Sequence, residues 1–389
     1  MYRYALLDPR PTPAAQAAND AVFADADSFL DAPRNGEYAR VRVPEVIGIE
    51  VTVPALAARC AVNLDPQHGS GPHVAACRDL AAIDLALSCT LPLDGSTLAT
   101  IRPDLDSVGA MAILELRRSG RLRYADRSDL PGVTSGWEVD GTECGIADRI
   151  RAVSRADRFA RGPWPGPRSL PSRADRWPAV QAGASDTREL AAIAACVADS
   201  GKGSLPMADR VAIMALWLQH GEGEIPDLER YRARVERERD EMIAALEEEM
   251  IDVRLRDRIE TRSDGSEHLL SPDDGVWQDV FDVTRFRIPI AVVTTEHRAA
   301  TMLGYCLAPV VVAENPRFRL GDGPEHRKVT ICAWDVAYCD IRAALAELAA
   351  IEPGWGGSLT IGGSPQGVSS HLPIETIVRI VARHLHATP

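Results

Sequence analysis

Asp104 and Asp106, two aspartates separated by a single residue, are the side chains whose spacing most clearly suggests chemistry. They follow a segment with strand character, residues 96–101, and precede an apolar-periodic helix predicted over residues 108–116. In open α/β sheets ligands bind at such strand-to-helix turns, and carboxylate oxygens suit hard divalent cations. The turn therefore predicts a metal site. The alternative is a solvated turn in which Asp106 or Ser107 caps the helix.

The run Pro-Asp-Leu-Asp-Ser-Val-Gly-Ala, residues 103–110, resembles the first motif of the DHH phosphoesterase family. Members of that family typically carry a strand, then His-x-x-Pro-Asp-x-Asp, one or two small residues, a glycine and an apolar helix. Thr100 stands where the family has its histidine. Because a neutral hydroxyl is a poor substitute for an imidazole ligand, the resemblance implies a metal centre with one position weakened or completed differently.

The Asp-His-His tripeptide that names the family, and that normally follows the first motif, does not occur in the sequence. An upstream segment has a similar context: an apolar run ends at Asp65, His68 follows three residues later, and a helix is predicted over residues 75–87. We interpret this as a permuted motif order, with Asp65 and His68 at the end of a strand adjacent to the Asp-x-Asp strand. The alternative is a surface loop with an incidental histidine, and His73 could also serve in place of His68.

The resemblance implies a set of metal ligands, namely Asp65, His68, Asp104, Asp106 and Asp126. Of these, Asp104, Asp106 and His68 are the predicted catalytic residues. Asp126 fills the place of the family's second-motif carboxylate, for which the alternatives are Asp129, Asp148 and Asp157. Mixed nitrogen and oxygen ligands suit Mn²⁺, the expected ion, or else Mg²⁺, Fe²⁺ or Zn²⁺. In the family, a metal pair activates water and clamps the attacking and leaving oxygens.

A glycine-dense segment near the C-terminus, beginning Gly-Gly-Ser-Pro at residue 362, is the second informative region. Closely spaced glycines let backbone N–H groups approach an anion. The segment resembles the Gly-Gly-His-Pro-type loop of the C-terminal domain that accompanies DHH phosphoesterases, with Ser364 in place of the histidine. The substrate-binding residues implied are Gly362, Gly363, Ser364, Gln366 and Ser369. The alternative is a pair of tight turns flanking an edge strand over residues 358–361.

The elements that must position these motifs predict an α/β fold of two α/β domains, with a largely parallel sheet in the N-terminal half. We expect an extension over residues 1–45, a DHH-like metal-binding domain over 46–185, a helical connector over 186–272 and a substrate-binding domain over 273–389. Asp186 and Glu189 form a capping-box pattern that opens the connector. A charged helix with one narrow apolar stripe is predicted over residues 227–259.

Composition narrows the classes of function. A chain of 389 residues suits two domains. Its net charge of −13, without a basic tract, argues against a long nucleic acid ligand, because polyanions bind through many Lys and Arg contacts. Eight cysteines without a CxxC pair indicate reduced thiols. No apolar run approaches the ~20 residues that span a bilayer, and the first residues lack a signal-peptide pattern. These observations predict a cytoplasmic protein without a membrane partner.

The function expected from the resemblance is metal-dependent hydrolysis of a small polar or anionic molecule, at a phosphoester or phosphoanhydride bond. Two alternatives stay open: hydrolysis of an amide or other C–N bond, and a non-catalytic relative that binds a small ligand such as a nucleotide. The expected partner is a small-molecule substrate, and a homodimer is an open alternative.

Overall fold

A computed structural model describes most of the chain. The described residues are 1–24, 30–34, 37–41, 45–65, 82–125, 136–139, 142–143, 145–158, 164–173, 188–199, 203–221, 228–256, 258–261, 267–270, 288–319, 324–365 and 367–386. The chain divides into two compact units. Unit 1 comprises Met1–Arg158 and Ser185–Val235, and unit 2 comprises Phe159–Ala184 and Glu236–Pro389.

Unit 1 contains, in chain order, β1 (Arg3–Leu6), α1 (Pro13–Ala24), β2 (Leu30–Arg34), β3 (Glu37–Val41), β4 (Val46–Ile49), α2 (Pro54–Ala57), β5 (Val62–Leu64), α3 (Ala82–Ser88), β6 (Thr97–Thr100), α4 (Leu105–Arg118), β7 (Leu122–Ala125), β8 (Gly136–Val139), β9 (Thr142–Glu143), α5 (Ile146–Arg158), α6 (Arg188–Val197) and α7 (Met207–His220). The unit boundary falls inside α8 (Leu228–Glu247). Unit 2 continues with β10 (Asp252–Arg256), β11 (Arg258–Thr261), β12 (Glu267–Leu270), β13 (Ile290–Thr294), α9 (Ala300–Leu307), β14 (Val310–Arg319), β15 (Glu325–Ala333), α10 (Ile341–Ile351), β16 (Gly356–Gly357), β17 (Ile361–Gly363) and α11 (Ile374–Arg383).

The central sheet of unit 1 has the strand order β1-β6-β4-β5. Its three strand pairings are all parallel. Every residue of β4 and of β6 is buried, as expected of parallel strands that are covered on both faces. The prediction of an α/β fold with a parallel sheet in the N-terminal half is thus confirmed.

Helix α4 lies at the centre of the helical layer of unit 1. Its buried residues run without interruption from Leu105 to Leu114, and it packs against α3, α5, α6 and α7. A Cβ atom on Gly109 would lie 2.8 Å from Cδ1 of Ile83 on α3, so the glycine permits the close approach of these helices. The helices α6 and α7, expected in a connector, pack on α4 within unit 1.

Unit 2 is built on a six-stranded sheet of order β10-β13-β14-β15-β17-β16. Among its described pairings only β13 with β14 is parallel. Alternate residues of β14 point to opposite faces. Val310 and Val312 join the core formed with α10 and α11, whereas Val311 and Ala313 join the core formed with α9 and the end of α8.

The charged helix is shorter than predicted, because α8 ends at Glu247 and not near residue 259. Glu249 adopts a left-handed φ of 58°. The N–H groups of Met250 and Ile251 then donate to the carbonyl of Ala245, at 2.8 and 3.2 Å, and close the helix end. The chain continues as β10, which pairs with β13. The apolar stripe misled the prediction because Val253 also fits a strand.

Other elements differ from expectation mainly at their ends. Helix α4 begins three residues earlier than predicted, and of the helix expected over residues 75–87 the described part is α3. The edge strand expected over residues 358–361 is displaced to β17. Asp186 of the expected capping box lies outside the described residues. Among the helices that the structure describes, none has the length and apolar character required to cross a membrane.

Candidate functional site

The carboxyl edge of the parallel sheet in unit 1 brings two predicted regions to one side of the fold. Asp65 directly follows β5, and Thr100 ends β6 just before the Asp-x-Asp turn. Because the strands are parallel, both regions leave the sheet at the same edge. Strand β4 lies between them, so β5 and β6 are not adjacent as expected. Two strand spacings separate them, about 10 Å.

Asp104 caps helix α4. The Asp104 Oδ1 atom accepts a hydrogen bond from the Ser107 backbone N–H at 3.0 Å, and the Asp104 backbone N–H donates to Ser107 Oγ at 3.1 Å. This reciprocal pair is a capping box, formed here with serine. The alternative interpretation of the turn named Asp106 or Ser107 as the cap, and the structure assigns that role to Asp104. The other carboxylate oxygen, Oδ2, accepts from Arg102 Nε at 2.9 Å.

Asp106 occupies a different environment from Asp104. Its side chain is fully buried, and Oδ1 accepts a hydrogen bond from the Ile83 N–H at 3.1 Å, at the start of α3. The Asp104 side chain is 24% exposed. In the described conformation the two carboxylates therefore serve different helices. Asp104 and Asp106 were expected to bind one metal ion together. In this conformation their hydrogen bonds direct the two carboxylates to different partners.

The strand that ends just before Asp65 is anchored by a buried amide, that of Asn63. Asn63 Oδ1 accepts from the Val51 N–H at 3.2 Å, and Asn63 Nδ2 donates to the Val51 carbonyl at 3.1 Å. A Cβ on Gly48 would lie 2.5 Å from Asn63 Oδ1, so glycine makes room for this pair. Asp65 itself is 1% exposed. It is thus a buried carboxylate at the end of a well-anchored strand.

Thr100, which replaces the family histidine, shapes the turn. Its hydroxyl donates to the Arg102 carbonyl at 3.1 Å and accepts from the Arg102 N–H at 3.3 Å. The Ser107 hydroxyl donates to the same carbonyl at 2.9 Å. Both hydroxyls therefore hold the backbone of the turn.

Several predicted site residues lie outside the described residues: His68, His73, Asp126, Asp129 and Gln366. Within the described part of the chain, no group of three or more His, Cys, Asp and Glu side chains could hold a metal ion. Asp65 and Asp106 are the buried carboxylates that this part supplies at the sheet edge.

Gly362 and Gly363, which begin the segment expected to be a loop, lie in strand β17. Gly362 pairs with Ile331 on β15 and with Gly357 on β16. A Cβ on Gly362 would lie 2.5 Å from Leu345 Cδ1, and one on Gly363 would lie 2.9 Å from the Val329 carbonyl oxygen. The glycines are therefore required by close packing of strand and helix.

The two serines predicted to bind substrate, Ser364 and Ser369, contact neighbouring backbone. Ser364 is 1% exposed, and its Oγ accepts from the Val329 N–H at 3.0 Å. Ser369 Oγ accepts from the Arg327 N–H at 3.1 Å. These hydroxyls fasten the chain to β15. A role of this segment in binding substrate stays a prediction.

Sequence reasoning missed a carboxylate that joins two loops of unit 2. Glu352 accepts hydrogen bonds from Trp355 Nε1 at 2.7 Å, Ser370 Oγ at 2.8 Å and the His371 N–H at 2.6 Å. Burial raises the pKa of this carboxyl, but the hydrogen bonds outweigh burial and hold the pKa below 4.5. A glutamate at a helix end gives no signal of such partners.

His297 begins the turn before α9. Its Nδ1 accepts the Ala299 N–H at 3.0 Å, which fixes the neutral ring with its proton on Nε2. Burial lowers the pKa of His297, partly offset by Glu241.

The chain was compared with protein-family models, with curated proteins and with solved structures. None matches.

Proposed function

We propose that the carboxyl edge of the parallel sheet in unit 1 is the active site of a metal-dependent hydrolase. This sheet belongs to one of the two α/β domains predicted from the sequence. The substrate class is a small polar or anionic molecule, cleaved at a phosphoester or phosphoanhydride bond, with Mn²⁺ as the preferred ion. The observation that supports the proposal is the presence of two buried carboxylates, Asp65 and Asp106, at one edge of one parallel sheet.

Buried carboxylates at a strand-to-helix edge suit a divalent cation. Removing a carboxylate from water is unfavourable unless charge or hydrogen bonds compensate for it, and a divalent cation is one source of such charge. His68 follows Asp65 by three residues and would add an imidazole ligand, and Asp126 would add a further carboxylate. The ion would supply an activated water and an electrophilic centre for the leaving oxygen.

Asp104 can contribute one oxygen without losing its capping role. Oδ1 accepts from the Ser107 N–H, and within the described residues the partner of Oδ2 is Arg102, whose side chain is 77% exposed. An exposed ion pair of this kind contributes about 0–1 kcal/mol. Displacement of Arg102 by a cation therefore costs little free energy. The released Arg102 side chain could then contact an anionic substrate.

The test measures bound metal and phosphodiesterase activity on the purified full chain, with a chromogenic phosphodiester as substrate and added Mn²⁺. Asp106→Asn and Asp65→Asn should both lose bound metal and activity while retaining their circular dichroism. The matched control is Asp94→Asn, an exposed carboxylate just before β6 at the opposite end of the sheet. Absence of bound metal in the wild-type chain, or full activity of Asp106→Asn, would overturn the proposal.

One observation favours the non-catalytic alternative. Asp104 and Ser107 hydrogen-bond to each other, and the hydroxyls of Thr100 and Ser107 hydrogen-bond to the Arg102 backbone, so these contacts hold the turn without an ion. A small-ligand-binding relative would show this arrangement together with ligand-induced stabilisation and no bound metal. A nucleotide that raises Tm in metal-free buffer, with no hydrolysis, would support this second function.

A further inference from the structure

The first loop of unit 1, residues 8–12 with the sequence Asp-Pro-Arg-Pro-Thr, leaves the parallel sheet beside the proposed metal site. It follows β1, which pairs with β6 so that Leu6 lies opposite Thr100. The Leu7 N–H donates to the Thr100 carbonyl at 2.8 Å, which continues the pairing to the end of both strands. Because the strands are parallel, this loop and the turn after Thr100 leave the sheet at the same edge, one strand spacing of about 5 Å apart.

The adjacent ends of β1 and β6 form a topological switch point. The connection from β1 to β4 passes β6 in one direction, and the connection from β5 to β6 returns in the opposite direction. Since parallel crossovers are right-handed, α1 and α3 lie on opposite faces of the sheet, and α4 packs beside α3. The chain therefore turns to one face after β1 and to the other face after β6. In open α/β sheets the crevice at such a point binds the ligand.

Arg10 is held in a defined position on the first loop. Its Nε and Nη2 donate to the two oxygens of the Asp8 carboxylate, at 2.9 and 2.7 Å. The Asp8 backbone is fixed in turn by the buried amide of Asn19 on α1, which accepts from the Asp8 N–H and donates to the Asp8 carbonyl, each at 2.8 Å. Pro9 and Pro11 flank Arg10 and restrict the backbone on either side. The guanidinium is thus preorganised by its own loop.

Arg102 repeats this arrangement on the neighbouring strand end. Its Nε donates to Asp104 Oδ2 at 2.9 Å, again across a single proline, so Arg-Pro-Asp after β6 mirrors Asp-Pro-Arg after β1. The Arg102 side chain is 77% exposed and the Arg10 side chain is 49% exposed. Solvent therefore reaches both guanidiniums, and a ligand in the crevice can replace that solvent without displacing protein atoms.

Both ion pairs can exchange their carboxylate for an anionic ligand. Exposed ion pairs contribute little to stability, and the fork of a guanidinium matches the oxygens of a phosphoryl or carboxylate group. A ligand with a single oxyanion would occupy one of the two guanidiniums. A ligand with two separate oxyanions would occupy both.

We propose that Arg10 is a specificity-determining residue, which binds a second oxyanionic group of the substrate while Arg102 contacts the group that reacts. The inference rests on the proposed function for the reacting group. The proposed metal ligands follow β5 and β6, and β1 lies on the far side of β6 from β5. Arg10 would therefore hold the oxyanion that lies farther from the ion. The substrate class becomes a small molecule with two anionic groups.

The test is isothermal titration calorimetry on the full chain, with and without Mn²⁺. The probes are methylphosphonate, which has one phosphoryl group, and a series of alkylenediphosphonates of increasing length, which have two. At least one diphosphonate should bind wild type about tenfold more tightly than methylphosphonate does, since a second charge-assisted contact is added. Arg10→Gln should remove this advantage and leave the affinity for methylphosphonate unchanged. Arg102→Gln should weaken the binding of both kinds of probe.

The matched control is Arg3→Gln, which removes an exposed arginine from the opposite end of the same strand. It should bind every probe as wild type does. The inference is wrong if no diphosphonate binds wild type more tightly than methylphosphonate, if Arg10→Gln keeps the advantage, or if Arg3→Gln loses it equally. A chain that prefers diphosphonates through Arg10 but neither holds metal nor hydrolyses a phosphodiester would overturn the hydrolase alone. A metal-dependent phosphodiesterase indifferent to Arg10 would overturn this inference alone.

Discussion

Asp104 has two separable properties, its hydrogen-bonding oxygen and its charge. The oxygen caps α4, and the charge attracts Arg102 or, in the proposed function, a cation. Asparagine preserves the capping oxygen and removes the charge, whereas alanine removes both. The pair of variants therefore distinguishes a structural from a catalytic role.

We expect Asp104→Ala to lower the free energy of unfolding by about 1 kcal/mol, since an N-cap is lost. Asp104→Asn should remain within a few tenths of wild type. Urea denaturation monitored by circular dichroism gives both values. If alanine leaves stability unchanged, the capping box contributes nothing and the helix start is fixed by packing alone.

Glu352 makes the stability of unit 2 depend on pH. Because its pKa in the folded state lies below the usual 4.5, the ionised carboxylate stabilises the fold above that pH. The contribution is lost as the pH falls through the folded-state pKa. Glutamine in its place cannot titrate.

The stability difference between wild type and Glu352→Gln should accordingly be constant near neutral pH and shrink as the pH falls below 4.5. Urea denaturation at a series of pH values measures it. The control is Glu347→Gln, which removes a half-buried carboxylate of α10 that pairs with Arg383 of α11. A difference independent of pH would show that Glu352 acts through shape and not charge.

Among the elements of unit 2, α9 depends on a glycine to approach its sheet. A Cβ on Gly304 would lie 2.4 Å from Cγ1 of Val311 and 2.7 Å from its Cγ2. Valine is stiff about χ1, so Gly304→Ala should destabilise the protein by about 1–3 kcal/mol. Gly356→Ala, where a Cβ would meet nothing within 4 Å, should remain near wild type.

Val311→Ala supplies the matched test for that contact. If the clash is with Val311, the double variant Gly304→Ala, Val311→Ala should be more stable than the sum of the single effects predicts. Thermal unfolding of the four proteins completes the cycle. Strict additivity would place the strain elsewhere.

The sequence predicted regular elements well where periodicity and burial agree. Strand β6 and helix α4 occur where expected because an apolar run and an apolar period flank a polar turn. The end of α8 was missed because the left-handed Glu249 is not a glycine and left no sequence signal. The C-terminal glycines were taken for a loop because glycine density does not distinguish an anion nest from tight strand packing.

The geometry of the candidate site could be predicted only in part from the sequence, for a similar reason. That Asp65 and the Asp-x-Asp turn reach one sheet edge followed from strand direction. The separate environments of Asp104 and Asp106 depend on α3, because the Ile83 N–H of that helix donates a hydrogen bond to the Asp106 carboxylate. Such tertiary contacts are not encoded in local spacing.

Across the whole molecule, the described cysteines share one environment. All six are buried and form no disulfide: Cys60, Cys89, Cys196, Cys306, Cys332 and Cys339. Burial raises the pKa of Cys60, Cys332 and Cys339 to about 12. Since the thiolate is the reactive form, these thiols should be inert in the folded chain.

A thiol reagent should therefore modify at most Cys77 and Cys144 rapidly in the native protein, and all eight cysteines in urea. The rate and extent are read from absorbance. A Cys77→Ser, Cys144→Ser variant should show no rapid phase. Rapid modification of that variant would mean that one of the six buried thiols becomes exposed by local opening.

The path of the chain through the two units has a consequence for biosynthesis. Unit 1 is interrupted, because residues 159–184 belong to unit 2 and residues 185–235 return to unit 1. Gly109 of α4 has Met214 of α7 as a close neighbour, and Arg149 donates to the carbonyls of Leu218 and Gln219 at 2.7 Å. When a growing polypeptide has emerged from the ribosome only through α5, the apolar helix α4 is therefore exposed, because α7 has not yet been synthesised. A nascent chain of this length would need a chaperone. A gene truncated after α5 would likewise yield a fragment that aggregates.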